Sequence, residues 1–448
     1  MYPPPELLAS LGLMGVIMGR LLFHRWFNHV SLYSFIWGTG LTLYEMRLID
    51  YSRMTEEVWM LLGYAWLAFI MGAATLVFAK IAIGINDQPR QATTPNIMSE
   101  RRAFTVAIMI LSAIALISTL RRWAILIDMF GDIPSVLFNG YKIYRLRIDG
   151  KLPGVIPYLN SFALAAVCLG GVYSARAGKI KLITLLPLLI IILDDVAQAG
   201  RAKMLMSAIL FSSAYFLAKL TAAREATFNM TNRMKKIFAG GLLLAVLLIT
   251  ADFVRSYRGS EERFYGTSKE LRQFEGTAIL TPSIYLYLSS HPGVFNAYWQ
   301  AESEHPFPGS NTFAPIFRIL ARLNLAESVP HFSKFYNMPI YSNTGTYLRE
   351  LHADFGIAGI LVAPYLIGFV CSVVWFRIKQ RSKLTSTVLL AHLYLIVAFS
   401  YLYQVTRVGE WTVSLLVSLA GGYFIDRYCR VPITAKAKSQ LDNFKNAV

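Results

Sequence analysis

Two groups of side chains carry types and spacings that could do chemistry. In the first, Asp194-Asp195 close an apolar run, Arg201 and Lys203 open the next, and Arg255 and Arg258 follow a later one directly in FVRSYRG. Arg121 and Arg122 end another such run, and Arg407 stands beside Glu410. A guanidinium is planar and offers paired donors that match phosphate oxygens, a contact that strengthens beside a low-dielectric membrane. The alternative is that these charges mark topology or pair with one another, for instance Asp194 or Asp195 with Arg201. In the second group, NTGTYLRELHADFG places Arg349, Glu350, His352 and Asp354 close together. If the segment is helical, Glu350 and Asp354 share one face and Arg349 and His352 another. A general base of tuned pKa could come from this group. Equally, Asp354 could cap the helix that follows and Arg349 could pair with Glu350.

Around these groups the chain is apolar in long runs. Of 448 residues 55% are hydrophobic and 15% charged, against roughly 25% charged in a soluble domain. Spanning segments are expected near Leu7–Phe23, Val30–Ile49, Val58–Ala82, Ala103–Ile127, Val155–Ser174, Ile180–Leu193, Met204–Leu220, Ile237–Phe253, Gly356–Phe376, Val388–Tyr403 and Trp411–Phe424. Most can cross a core of roughly 30 Å at about 1.5 Å per residue, the first, sixth and tenth being short. The chain is therefore read as an all-α polytopic membrane protein with about eleven transmembrane helices.

Charge gives the orientation. The turns after odd-numbered segments and the C-terminal tail hold most of the lysines and arginines, among them Arg20, Lys80, Arg101, Arg176, Lys181, Arg377 and Lys379. The short turns on the other side hold few. That asymmetry predicts an outside N-terminus and an inside C-terminus. Arginines held tight against outer helix ends then need a reason other than topology. The formal net charge of +17 fits anionic lipid or an anionic substrate, and no nucleic-acid partner is inferred.

Three parts follow: residues 1–253 with eight crossings and an outer loop at 128–154, a large outer loop at 254–355, and residues 356–448 with three crossings and a basic tail. The first loop mixes Tyr141, Ile143, Tyr144, Leu146 and Ile148 with Lys142, Arg145 and Arg147, a composition suited to a lipid interface. The second, mainly helical in expectation, holds four of the seven histidines (His291, His305, His331 and His352) and is too long and too aromatic for a bare connector. The three cysteines suggest neither a disulfide framework nor a zinc site. No P-loop, GxSxG, HExxH or CxxC is present, and no metal or cofactor is expected.

NTGTYLRELHADFGIAGILVAPYLIG resembles the C-terminal signature of bacterial oligosaccharide repeat-unit polymerases of the Wzy type. PGSNTFAPIFRIL (Pro308–Leu320) and DDVAQAGRAKML (Asp194–Leu205) are similar to elements of the same family, from which HADFG departs at His352 and Ala353. The resemblance implies a GT-C-like glycosyltransferase acting on undecaprenyl-pyrophosphate-linked glycans at the periplasmic face of the inner membrane, with a chain-length regulator as a potential protein partner. On that reading Arg201, Arg255 and Arg258, supported by Lys203, Arg349 and Asp354, bind pyrophosphate and glycan. His352, with Glu350 as second choice, takes the acceptor's proton. An O-antigen ligase is the nearest alternative, and a flippase of the same lipid-linked unit is the alternative from another class.

Overall fold

A helix that is apolar on every side must be enclosed by other helices or by lipid. The structure, a computed structural model, describes residues 3–83, 97–153, 156–222, 266–275, 281–301, 306–330, 332–380 and 383–429, and within these it is mostly helical. Among the described residues five helices are long and apolar enough to cross a membrane: α1 (Pro5–Phe23), α3 (Glu56–Ile83), α4 (Ile97–Phe130), α9 (Ala202–Ala222) and α14 (Tyr347–Gln380). Between and beside them run α2 (His29–Glu45), α7 (Ser161–Ala177), α8 (Leu182–Ala197), α15 (Leu384–Phe399) and α16 (Gly409–Cys429). The protein is membrane-embedded on this account. The expected eighth segment, Ile237–Phe253, lies outside the described residues.

Boundaries move where local polarity hides the helix. The fifth expected segment begins at Ser161 rather than Val155, and the fourth runs on to Phe130, so Arg122 sits inside α4 and not at its end. The ninth starts at Tyr347, which makes the polar run before Gly356 helical as well. Gly356 breaks this long helix with φ 61° and ψ −152°, a conformation that glycine alone adopts without strain.

The helices α3 and α14 cross closely. A Cβ added at Gly72 would collide with the Tyr365 carbonyl, so backbone approaches backbone there, the usual basis of helix association where lipid removes the hydrophobic drive. Almost all of α7 is buried, which places it at the centre of the bundle.

Contacts sort the helix ends into two sets. At one end Arg176 pairs with Glu100, Lys181 donates to the Tyr173 hydroxyl at 2.6 Å, and the Lys80 ammonium stands 3.8 Å from the Phe376 ring centre. All three cations come from turns that the charge rule assigns to one side. At the other end lie the loop elements α10 (Lys269–Arg272), α11 (Pro282–Ser289), α12 (His291–Gln300), α13 (Ala314–Arg322) and a ribbon of β1 (Tyr336–Asn337) antiparallel to β2 (Tyr341–Ser342). They are tied to the bundle through Ser268 N–H to Leu48 O at 2.8 Å, Tyr51 with Ser289 at 2.7 Å, and Trp299 Nε1–H to Glu57 at 2.8 Å. At the same end the 128–154 loop folds into α5 (Ile133–Phe138) and α6 (Gly140–Ile148). It buries Val136 and Ile143 against Leu126 and Ala197, and leaves Ile133, Phe138 and Tyr141 exposed.

Candidate functional site

The described members of both sequence-predicted groups lie at the loop end, and the two groups are built differently. In the first, Asp194 and Asp195 occupy the last turn of α8, and both are fully buried. Asp194 accepts from Arg122 through Oδ1, and through Oδ2 from Gln198 at 2.7 Å and Lys203 at 2.9 Å. Lys203 also reaches Glu410 at 2.8 Å. Two cations and two carboxylates therefore neutralise one another and join α4, α8, α9 and α16. Asp195 accepts from the Met204 N–H at 2.9 Å at the start of α9, with Arg147 of α6 alongside. The pairing differs from the one the sequence suggests: Asp194 takes Arg122 and Lys203, not Arg201. Arg201 instead lies 4.6 Å from the ring centre of Tyr287, and no carboxylate among the described residues pairs with it. Arg255 and Arg258 lie outside the described residues.

The second group stands on the first turns of α14, before the Gly356 break. The helical spacing sends its members two ways, as expected. Arg349 and His352 both face Tyr298. The Arg349 guanidinium is 5.6 Å from that ring and 5.0 Å from Tyr336, and donates to the Asn343 carbonyl at 3.1 Å. His352 Nδ1 meets the Tyr298 hydroxyl at 3.0 Å, and its ring lies 4.9 Å from Trp299.

Glu350 and Asp354 face the opposite way. Asp354 does not cap its own helix. It accepts from the Asn311 N–H and side-chain amide at 3.0 Å each, and from the Thr312 N–H and hydroxyl at 2.6 Å each, which clamps the turn before α13. Glu350 Oε1 accepts from Ser333 at 3.1 Å and stands 3.8 Å from Arg407, which itself donates to Ser333 at 2.6 Å. Glu350 does not form the ion pair with Arg349 that the sequence allows. Burial pushes its carboxyl above the ordinary range, and the nearby Arg349 and Arg407 oppose that shift.

Among the described residues, Glu350 Oε2 is buried and has no hydrogen-bond partner. The Oε1 of Gln404, whose amide donates to Thr312 at 3.0 Å, and the hydroxyl of Thr346 one helical turn before Glu350 are in the same condition. A buried acceptor without a donor costs about 1–3 kcal/mol, more when charged, so a carboxylate left this way needs an explanation. A hydroxyl group entering beside Glu350 would supply the missing donor.

Sequence spacing alone misses Ser333, Arg318, Gln404 and Tyr298 as neighbours, and leaves Arg407 beside Glu410 without linking it to Glu350. Arg318 donates to the Pro330 and Arg407 carbonyls at 3.3 Å each, tying α13 to both. His291 is buried with its two ring nitrogens 2.8 Å and 2.7 Å from the Thr344 and Tyr287 carbonyls, a tie between α12 and the segment leading into α14. His305 and His331 lie outside the described residues. Among the described residues no three His, Cys, Asp or Glu side chains stand together as metal ligands would. No family model matches the chain, and comparison with curated proteins and with solved structures returns no match.

Proposed function

We propose that the protein is a membrane glycosyltransferase that polymerises undecaprenyl-pyrophosphate-linked oligosaccharide repeat units at the periplasmic face of a bacterial inner membrane. In this reading the chain is GT-C-like and crosses the bilayer eleven times, with the N-terminus periplasmic and the C-terminus cytoplasmic.

The observation that carries the reading is Glu350: buried, raised in pKa by that burial, with one oxygen unmatched and with Arg407 and Ser333 fixing the other. Such a carboxylate suits a general base for a sugar hydroxyl. The acceptor oxygen attacks the anomeric carbon of the donor glycan as its proton passes to Glu350 Oε2. The bond from that carbon to the carrier's pyrophosphate breaks, and the electron pair leaves with the pyrophosphate. One displacement inverts the anomeric centre. Arg201, with Arg255 and Arg258 assigned from the sequence, stabilises the charge on the leaving group. His352 is less suited to the base role because its ring is engaged with Tyr298 and Trp299 on the far side of the helix. Lys203 is a tie within the buried network.

The test supplies purified full-length protein in nanodiscs with lipid-linked repeat units. Wild type yields a ladder of products, and Glu350→Gln yields only unextended units while its elution profile stays that of folded protein. Full chain growth by Glu350→Gln would remove the base assignment, and a single transfer to a different lipid acceptor would replace the polymerase with a ligase.

A further inference from the structure

Helix α13 is built inside out for a helix that faces water. At 100° per residue Phe313, Ile316, Ile319 and Leu323 form one arc, and all four are exposed, Leu323 to 61%. The opposite side carries buried Ala314 and the charged Arg318, which turns inward to the carbonyls of Pro330 and Arg407 at 3.3 Å and of Val329 at 3.5 Å. A water-facing helix would show the reverse pattern. At its C-terminus Asn324 takes a left-handed φ of 56° and the Leu325 N–H returns to the Leu320 carbonyl at 2.9 Å. That closure ends the helix while keeping Leu325 exposed beside it.

The apolar arc continues into the surface of a spanning helix. Asp354 holds the turn that begins α13, and Phe313 and Phe355 both stand beside Gly309. Immediately past the Gly356 break, α14 exposes Ile357 and then Val362 and Leu366 along its spanning run. An apolar face joined to that surface has the bilayer as its natural cover, and Arg322, exposed at the edge of the arc, is placed to meet lipid phosphates.

We propose that α13 lies in the plane of the membrane surface with its Ile316–Ile319–Leu323 face in the acyl region of the outermost lipid. The proposal rests on the membrane embedding of the chain and not on the transferase reading. It fixes the height of the Asn311–Thr312 turn, and with it the Glu350 face, at the headgroup level.

The experiment uses the full chain in nanodiscs carrying a single bimane label at Ile319→Cys; the native cysteines are buried. Glu327→Cys reports water and Val362→Cys reports hydrocarbon. The expected result is strong quenching at Ile319 by phospholipid bearing a shallow nitroxide, with iodide access several-fold below that at Glu327. Ile316→Cys repeats the measurement in case one label disturbs the helix. Iodide access equal to that at Glu327 without lipid quenching overturns the proposal in favour of a water-facing helix. Protection from both quenchers overturns it in favour of a protein cover, whether a second copy or another partner.

Discussion

Two knots of charge sit at the same end of this bundle, and both carboxylate oxygens at the centre of one are matched where one at the centre of the other is not. Around Asp194 both carboxylate oxygens are occupied, Lys203 serves two acids, and of the buried side-chain atoms of Asp194, Lys203 and Arg122 only the Arg122 Nε lacks a partner among the described residues. Around Glu350 one carboxylate oxygen, the Gln404 carbonyl and the Thr346 hydroxyl are all buried without a donor or acceptor among the described residues. A closed network holds helices in register, whereas an open one keeps its capacity for something that arrives later. Position and residue type are similar in the two knots, so satisfaction is what distinguishes a structural tie from a candidate site.

The largest effect should come from opening the closed knot. Asp194→Asn leaves Arg122 and Lys203 buried with weaker compensation, a loss of about 3–5 kcal/mol in stability. A lowered melting temperature in detergent and a reduced monodisperse fraction would show it. Adding Arg122→Met should recover part of that loss, since it removes one of the stranded charges. A double variant as unstable as the sum of the singles would mean that the two side chains are not coupled.

Next is the charge beside the open knot. Arg407 lowers the Glu350 pKa against the dominant effect of burial. Arg407→Gln should therefore move the acid limb of the pH–rate profile of chain growth to higher pH, since the base must be ionised to act. The same shift bears on stability. A carboxyl raised in the folded state contributes stability that is complete below its unfolded pKa and is lost as pH rises through its folded value. Glu350→Gln should accordingly flatten that loss, read as a melting temperature less sensitive to pH on the alkaline side.

Smaller still is Arg349→Lys, which keeps the charge but gives up the planar contact with Tyr298 and Tyr336. A cost of about 1 kcal/mol, or roughly five- to tenfold in chain growth, is expected. Least of all should be His352→Gln, which can still hydrogen-bond to Tyr298; less than about tenfold loss is consistent with a residue outside the proton transfer. Abolition of chain growth in a folded His352→Gln protein would move the base from Glu350 to His352.

The spanning runs are legible in the sequence because length and apolar content alone mark them, and α3, α4 and α14 fall where the runs are. Polar helical turns are not marked in this way, which is why Tyr347–Phe355 and the end of α4 extend past the expected boundaries. The division of the second group into two faces is also legible, because the spacing within one helix fixes it. Partners are not. Asp354 meets Asn311 across a separation of 43 residues, and Arg122 meets Asp194 across 72. No local pattern encodes such encounters; they depend on how the helices are packed. Reading Lys203 as a phosphate ligand failed to anticipate the tie for that reason, since Glu410 arrives from α16.

The contrast between the knots reduces to one paired assay: chain growth by Glu350→Gln and Lys203→Met, each normalised to folded protein in the same nanodisc preparation. A folded Glu350→Gln protein should build no ladder, and a Lys203→Met protein should lose its ladder in step with its loss of folded material. A full ladder from Glu350→Gln, or a fully folded Lys203→Met protein that builds none, would contradict that contrast.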